Sequence, residues 1–186
     1  MLIPFGVFSA GAGVSNSYEL ISTTLISTNT ASVTFDVTGL GSTYKHLQIR
    51  FTARQSAAQS MSGINTNVNG DTAANYSMHR LYGTGSSVSS DAPGTPNNSN
   101  FQISGIAAAN DTASAFSVAV FDILDAFNTN KYKTFRSLSG GANGASQIYL
   151  NSGNWRNTAA ITTIAFTPQG TNFVAGSRFS LYGIRG

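Results

Sequence analysis

From His46 to Arg54 the chain alternates without a break. Leu47, Ile49, Phe51 and Ala53 are apolar, and His46, Gln48, Arg50, Thr52 and Arg54 are polar. A period of two places the first set on one face of a β-strand and the second on the other. The same period recurs along the chain. Val33, Phe35 and Val37 share a face of the segment 32–37, and Ile64, Thr66 and Val68 alternate with Asn65, Asn67 and Asn69. Tyr132, Thr134, Arg136 and Leu138 alternate with Lys131, Lys133, Phe135 and Ser137. Segments 18–27, 76–82, 101–106, 147–150, 161–167 and 178–184 also read as strands. The run from Phe116 to Leu124 is almost continuously apolar, which predicts a central strand covered on both faces. Phe116, Val118 and Val120 are therefore expected in the core with Leu47, Ile49 and Phe51.

Turn chemistry separates these segments. Thr38 to Thr43 is rich in Gly and Ser, the stretch from Gln55 to Ser62 is polar and small, and Asn69-Gly70 is a turn signal closing the strand before it. Gly83 to Asn100 is the longest stretch without periodicity and predicts a peripheral loop. Gly140 to Gly144 predicts a second turn, and no segment has a convincing helical period. Short strands with regular turn signals and no helices make an all-β protein. The expected architecture is an antiparallel β-sandwich over residues 18–186, jelly-roll-like, behind an extended N-terminal arm at 1–17.

The arm carries Leu2, Ile3, Phe5, Val7 and Phe8 ahead of a small-residue hinge at Gly11-Ala-Gly13. It lacks the basic start of a signal peptide, and Pro4 and Gly6 break its apolar run. These five side chains are expected to anchor the chain on another subunit or another protein, with folding back onto its own domain as the alternative, because leaving them in water is costly. No apolar run approaches the roughly 20 residues that span a bilayer, so no membrane insertion is expected.

Composition narrows the chemistry. Only 9% of residues are charged, against 41% hydrophobic, so polarity comes from Ser, Thr, Asn and Gly, as suits secreted or virion β-proteins. The net charge of +3 is dispersed, with no basic run to track a phosphate backbone, so no nucleic-acid partner is expected. The absence of cysteine removes disulfides and thiolate metal sites. Asp122 and Asp125 are the only close carboxylate pair, and they read as a strand-end cap or as partners of Lys131 or Lys133 rather than as an acid–base pair. Asn65 to Asp71 holds one carboxylate, too little charge for a tight calcium loop. His46 and His79 have no second histidine at chelating spacing, and there is neither a Gly-x-Ser-x-Gly elbow nor a complete dinucleotide glycine motif. No catalytic, metal or cofactor residues are therefore assigned. Tyr76, Tyr82, Tyr132, Tyr149 and Trp155 could stack on sugars. Most of them are expected to pack in the sandwich or at a subunit interface; Trp155, in the polar stretch 151–157, is the foremost exception and ligand-contact candidate, followed by Tyr149 and Tyr82.

Several motifs taken together carry a resemblance. These are Tyr44-Lys-His-Leu-Gln-Ile-Arg50, Asn69-Gly-Asp71 and Asn75-Tyr-Ser-Met-His-Arg-Leu-Tyr-Gly83. Asp122-Ile-Leu-Asp125 with Asn130-Lys-Tyr-Lys-Thr134, and the ending Phe179-Ser-Leu-Tyr-Gly-Ile184, complete the set. As a set, from Tyr18 onward, they resemble a widespread family of tailed-bacteriophage structural proteins. The resemblance implies a non-enzymatic virion component without fixing its place in the particle; the expected place is the tail, as a short tail fibre or tail-associated adhesin, with a capsid decoration or cement protein as the alternative. A homotrimer, contacts to other virion proteins through the arm, and a host surface glycan as ligand are the expected partners. A secreted carbohydrate-active enzyme is the further alternative, disfavoured by the scattered carboxylates.

Overall fold

A computed structural model describes residues 17–141 and 146–186. The arm residues Leu2, Ile3, Phe5, Val7 and Phe8 lie outside the described residues. Twelve strands follow in order: β1 (Tyr18–Leu25), β2 (Val33–Asp36), β3 (His46–Ala53), β4 (Met61–Val68), β5 (Tyr76–Gly83), β6 (Val88–Asp91), β7 (Phe101–Ala107), β8 (Ser117–Leu124), β9 (Lys133–Gly141), β10 (Gln147–Trp155), β11 (Thr163–Pro168) and β12 (Arg178–Ile184). The only helical segment among the described residues is a short 3-10 turn at Leu40–Ser42.

All strand pairs are antiparallel. One sheet has the order β1-β12-β3-β8-β9-β10-β5-β6 and the other β2-β11-β4-β7. Removing β5, β6, β9 and β10 leaves β1-β12-β3-β8 facing β2-β11-β4-β7, the strand order of an eight-stranded jelly roll. The four remaining strands are two hairpins, inserted after β4 and after β8. They lie side by side and extend only one of the two sheets.

The core fills with aromatic residues from both sheets. Phe51, Phe121, Phe135 and Phe179 of the wide sheet meet Phe35, Phe101 and Phe166 of the narrow one, and all seven are buried. Ring centroids lie 5.5 Å apart for Phe101–Phe121, 6.1 Å for Phe121–Phe166 and 4.8 Å for Phe51–Phe179. The phase expected for β3 holds: Leu47, Ile49, Phe51 and Ala53 are buried, as are Val33, Phe35, Val37, Ile64 and Val68.

The expectation for β8 fails. It lies in the middle of the wide sheet, but Ala119, Phe121 and Ile123 face the core, while Val118 is 61% exposed and Phe116 and Val120 are only half-buried. Hydrophobicity on both sides gave no phase, and β3 sets it instead, because Phe51 pairs with Ala119 and Ile49 with Phe121. One other expectation is amended. The stretch 83–100 is peripheral but not structureless, since β6 pairs with β5 at the sheet edge. Asn69 and Gly70 form the expected turn in left-handed conformations (φ 54° and 66°), and it joins strands of different sheets. The Asn69 side chain explains this. Its Oδ1 accepts from the backbone N–H of Thr162 at 2.7 Å and of Thr163 at 3.2 Å, tying the turn to the start of β11.

Phe121→Ala and Phe51→Ala should each lower stability by about 3–5 kcal/mol through cavity formation, read from chemical denaturation. Phe116→Ala should cost clearly less, because that ring is only half-buried.

Candidate functional site

The narrow sheet ends at β7, so the inner faces of β10, β5 and β6 project past it. Period-two alternation points Tyr149 and Asn151 of β10, Arg80 and Tyr82 of β5, and Asp91 of β6 to that inner side. Tyr149 pairs in register with Tyr82, and Arg80 with Asp91. The tyrosine rings stack at 5.2 Å with an 18° interplanar angle. The Arg80 guanidinium lies 5.6 Å and 5.9 Å from their centroids. Asp91 grips the same guanidinium bidentately, accepting from Nε at 2.6 Å and from Nη2 at 2.8 Å. That carboxylate holds the Arg80 pKa above its ordinary value, and burial pushes the Tyr149 phenol up.

Beside this cluster a polar cleft of about 190 Å³ opens between the projecting hairpins and the edge of the narrow sheet. Gln59, Gln102, Gln147 and Gln169 line it, with Arg80, Tyr149, Ser62 and Ser104. Two glycines shape it. A Cβ on Gly105, at φ 73°, would lie 2.6 Å from the Tyr149 ring, and one on Gly63 would lie 2.5 Å from Gln102 Nε2. Each glycine therefore lets a side chain lie directly on a strand backbone. Tyr149 donates its hydroxyl proton to Gln147 Oε1 at 2.6 Å, and Gln169 Oε1 accepts from the Gly63 N–H at 3.0 Å.

The sequence candidates separate here. Tyr149 and Tyr82 come together. Trp155 does not join them: it is the last residue of β10, not a loop residue, and it is 1% exposed. Its indole N–H donates to Asp71 Oδ2 at 2.7 Å. Tyr76 is also core, and Tyr132 is exposed ahead of β9. Arg80 and the cleft glutamines escaped sequence reading because they are dispersed over 110 residues. The available signal was glycine inside strands at 63 and 105, which marks a close approach.

The outer face of the wide sheet has the opposite character. Val118, Gly140, Ile148, Gly83 and Val88 form one cross-strand row. Val120, Leu138, Leu150 and Leu81 form the next. Ile148 is 57% and Leu138 51% exposed. The glycines leave a shallow apolar groove of about 880 Å³, flanked by Arg50 and Arg178. Below it runs a polar band. Tyr18 and Tyr182 stack at 4.9 Å with the Arg50 guanidinium 5.1 Å and 5.2 Å from their centroids. Gln48 donates to Asp122 Oδ1 at 2.6 Å, and Arg136 donates to Asp122 Oδ2 at 2.8 Å.

The remaining charged groups hold the frame. Asp125 pairs with Lys131, which pulls its carboxyl below the usual range, so the Asp122/Asp125 pair is divided between two cations. Lys133 is fully buried, and its ammonium donates to the carbonyls of Asn128 (2.5 Å), Thr158 (3.0 Å) and Lys131 (3.1 Å). Desolvation lowers its pKa. Among the described residues no three His, Asp or Glu side chains lie close enough to hold a metal ion.

No family model matches the chain, and no curated protein or solved structure does either.

The Asp71 clamp yields a pH prediction. Burial pushes the Asp71 carboxyl up, but hydrogen bonds from Asn75 Nδ2, Trp155 Nε1 and the Ala73 N–H outweigh it and hold the pKa below the ordinary value. The clamp's stabilisation is therefore complete above the unfolded carboxyl's pKa of about 3.9 and is lost as pH falls through the lower folded value. Asp71→Asn should destabilise the protein at neutral pH and flatten the acid limb of its stability curve. The emission of Trp155, the only tryptophan, reports both effects.

Proposed function

We propose that this chain is a non-enzymatic structural subunit of a tailed-phage virion, a short tail fibre or tail-associated adhesin that assembles as a homotrimer. The observation that carries the reading is the aliphatic outer face of the wide sheet. Contiguous exposed apolar surface on this scale marks an interaction site. Its composition of Val, Leu, Ile and Gly, with cations only at the rim, resembles half of a domain core. Obligate contacts between copies of one chain have that composition, so the occupant is a second copy.

Two further observations support the reading. The motif set from Tyr44 to Ile184 resembles tailed-phage structural proteins, which supplies the particle. Jelly rolls also serve as viral capsid and lectin domains, although fold alone does not assign a role. The inner cleft, with stacked tyrosines and amides open to solvent, favours an adhesin over a capsid decoration protein.

Labelling of purified particles with antibody should place this protein at the tail, and label across the capsid shell would replace the reading with the decoration protein. In solution the wild type should run as a trimer by light scattering, and Leu138→Glu with Ile148→Glu should run as a folded monomer. Removing residues 1–13, which carry Leu2, Ile3, Phe5, Val7 and Phe8, should leave a cooperative thermal transition but lower incorporation into particles severalfold. Full occupancy by the truncated chain would show that the arm is not the anchor.

A further inference from the structure

We propose that the cleft between the projecting hairpins and the edge of the narrow sheet binds one uncharged sugar ring of a glycan. This deepens the adhesin reading and rests on it for its biological setting, but not for its chemistry.

The first observation is the concentration of amides. The chain has six glutamines, and four of them, Gln59, Gln102, Gln147 and Gln169, line this one cleft. They come from β7, β10 and the segments flanking β4 and β11, so the fold gathers them and local sequence does not. A fifth, Gln55, is fully buried alongside. It donates to the Gly63 carbonyl at 3.0 Å and accepts from the Gly170 N–H at 2.9 Å, which fixes the cleft wall. The Gln102 and Gln147 amide nitrogens and the whole Gln59 amide make no hydrogen bond to any described residue, whereas Gln102 Oε1 and Gln147 Oε1 are held by Arg80 and Tyr149. Gln147 thus has a fixed orientation with its donor left over, while Gln102 Oε1 lies 3.5 Å from Arg80 Nη1. An amide both donates and accepts, as a sugar hydroxyl does.

The second observation is charge. Arg80 is neutralised bidentately by Asp91, so the cleft offers no free cation to a phosphate or carboxylate. An uncharged polyhydroxylated ligand fits this balance better than an anion. The third is shape. Tyr149 lines the cleft with Tyr82 stacked behind it, Gly63 and Gly105 keep the floor low, and about 190 Å³ is below the size of a drug-like pocket. It suits a single ring whose neighbours along the glycan continue into solvent.

Saturation-transfer difference NMR tests this on the full-length protein with a panel of methyl glycosides: hexoses, 6-deoxyhexoses and N-acetylhexosamines, with sialic acid as the charged arm and glycerol as the non-ring control. At least one uncharged glycoside should bind at millimolar concentration, and sialic acid and glycerol should not. Gln102→Leu should weaken that binding about tenfold, the size of one lost hydrogen bond. Thermal unfolding controls for the fold, and Gln147→Leu at the start of β10 serves if the first variant unfolds. Tyr182→Ala on the outer face should leave binding unchanged. Three results would each overturn the proposal: no glycoside of the panel binds, only sialic acid binds, or binding survives Gln102→Leu and Gln147→Leu but is lost with Tyr182→Ala. The purified protein is the sample, so a chain located off the tail that still binds sugar leaves the cleft standing. A tail protein that binds none removes the cleft alone.

Discussion

Phenylalanine packing between two sheets of unequal width governs the rest of this molecule. Phe121 touches Phe101, Phe135 and Phe166, with centroids 5.5, 5.5 and 6.1 Å away, and so joins both sheets at the centre. Close packing of this kind leaves little freedom in spacing or register. Once Phe101 of β7 packs on Phe135 of β9 at 5.4 Å, the edge of the narrow sheet is fixed against the wide one. Everything past that edge must find other support.

Tyr76, Met78 and Trp155 still reach the core, and beyond them that support is polar. The hairpin from β5 to β6 is held at one end by Asp71, which takes the Trp155 indole N–H and the Asn75 amide, and by Tyr76, whose hydroxyl donates to the Asp71 carbonyl at 3.1 Å. Burial pushes the Tyr76 pKa up to about 12, so the phenol stays a donor across the physiological range. At the other end Arg80 and Asp91 close the hairpin against Tyr82 and Tyr149. Hydrophobic burial thus builds the jelly roll, and hydrogen bonds position the inserted hairpins on it. A site at the junction inherits rigidity from the first and polarity from the second.

The sequence was legible wherever one face was buried and the other wet. The alternation from His46 to Arg54 gave the limits and phase of β3, and that of 131–138 gave β9 as a strand without saying which face is buried. Legibility failed where both faces were apolar. In β8 the outward Val118 and Val120 look as core-like as Phe121, and only pairing with β3 distinguishes them. It failed again where a polar neighbourhood concealed a buried residue. Trp155 sits among Asn, Ser and Arg, yet its partner is a carboxylate 84 residues away. Of the candidate contacts, the pairing of Tyr149 with Tyr82 was recoverable as two aromatic residues on strands. The cleft glutamines were not, because their proximity is created by the inserted hairpins lying side by side, which no local pattern encodes.

The projecting hairpins carry two different surfaces through the same strands. In β10, Ile148 and Leu150 face outward while Tyr149 faces the cleft. In β5, Leu81 and Gly83 face outward while Arg80 and Tyr82 face inward. Because a strand sends successive side chains to opposite sides, burying the outer face in an assembly leaves the inner cleft open to solvent. The narrow sheet backs these strands only in part, through β7, so a subunit packed on their outer face would add a second layer there. Oligomerisation would then stabilise the walls of the cleft, and Gln147 at the start of β10 is the residue that borders both surfaces. If a second copy covers that face, disrupting the contact would loosen Tyr149 and Arg80 through their own strands, which would couple assembly to ligand affinity.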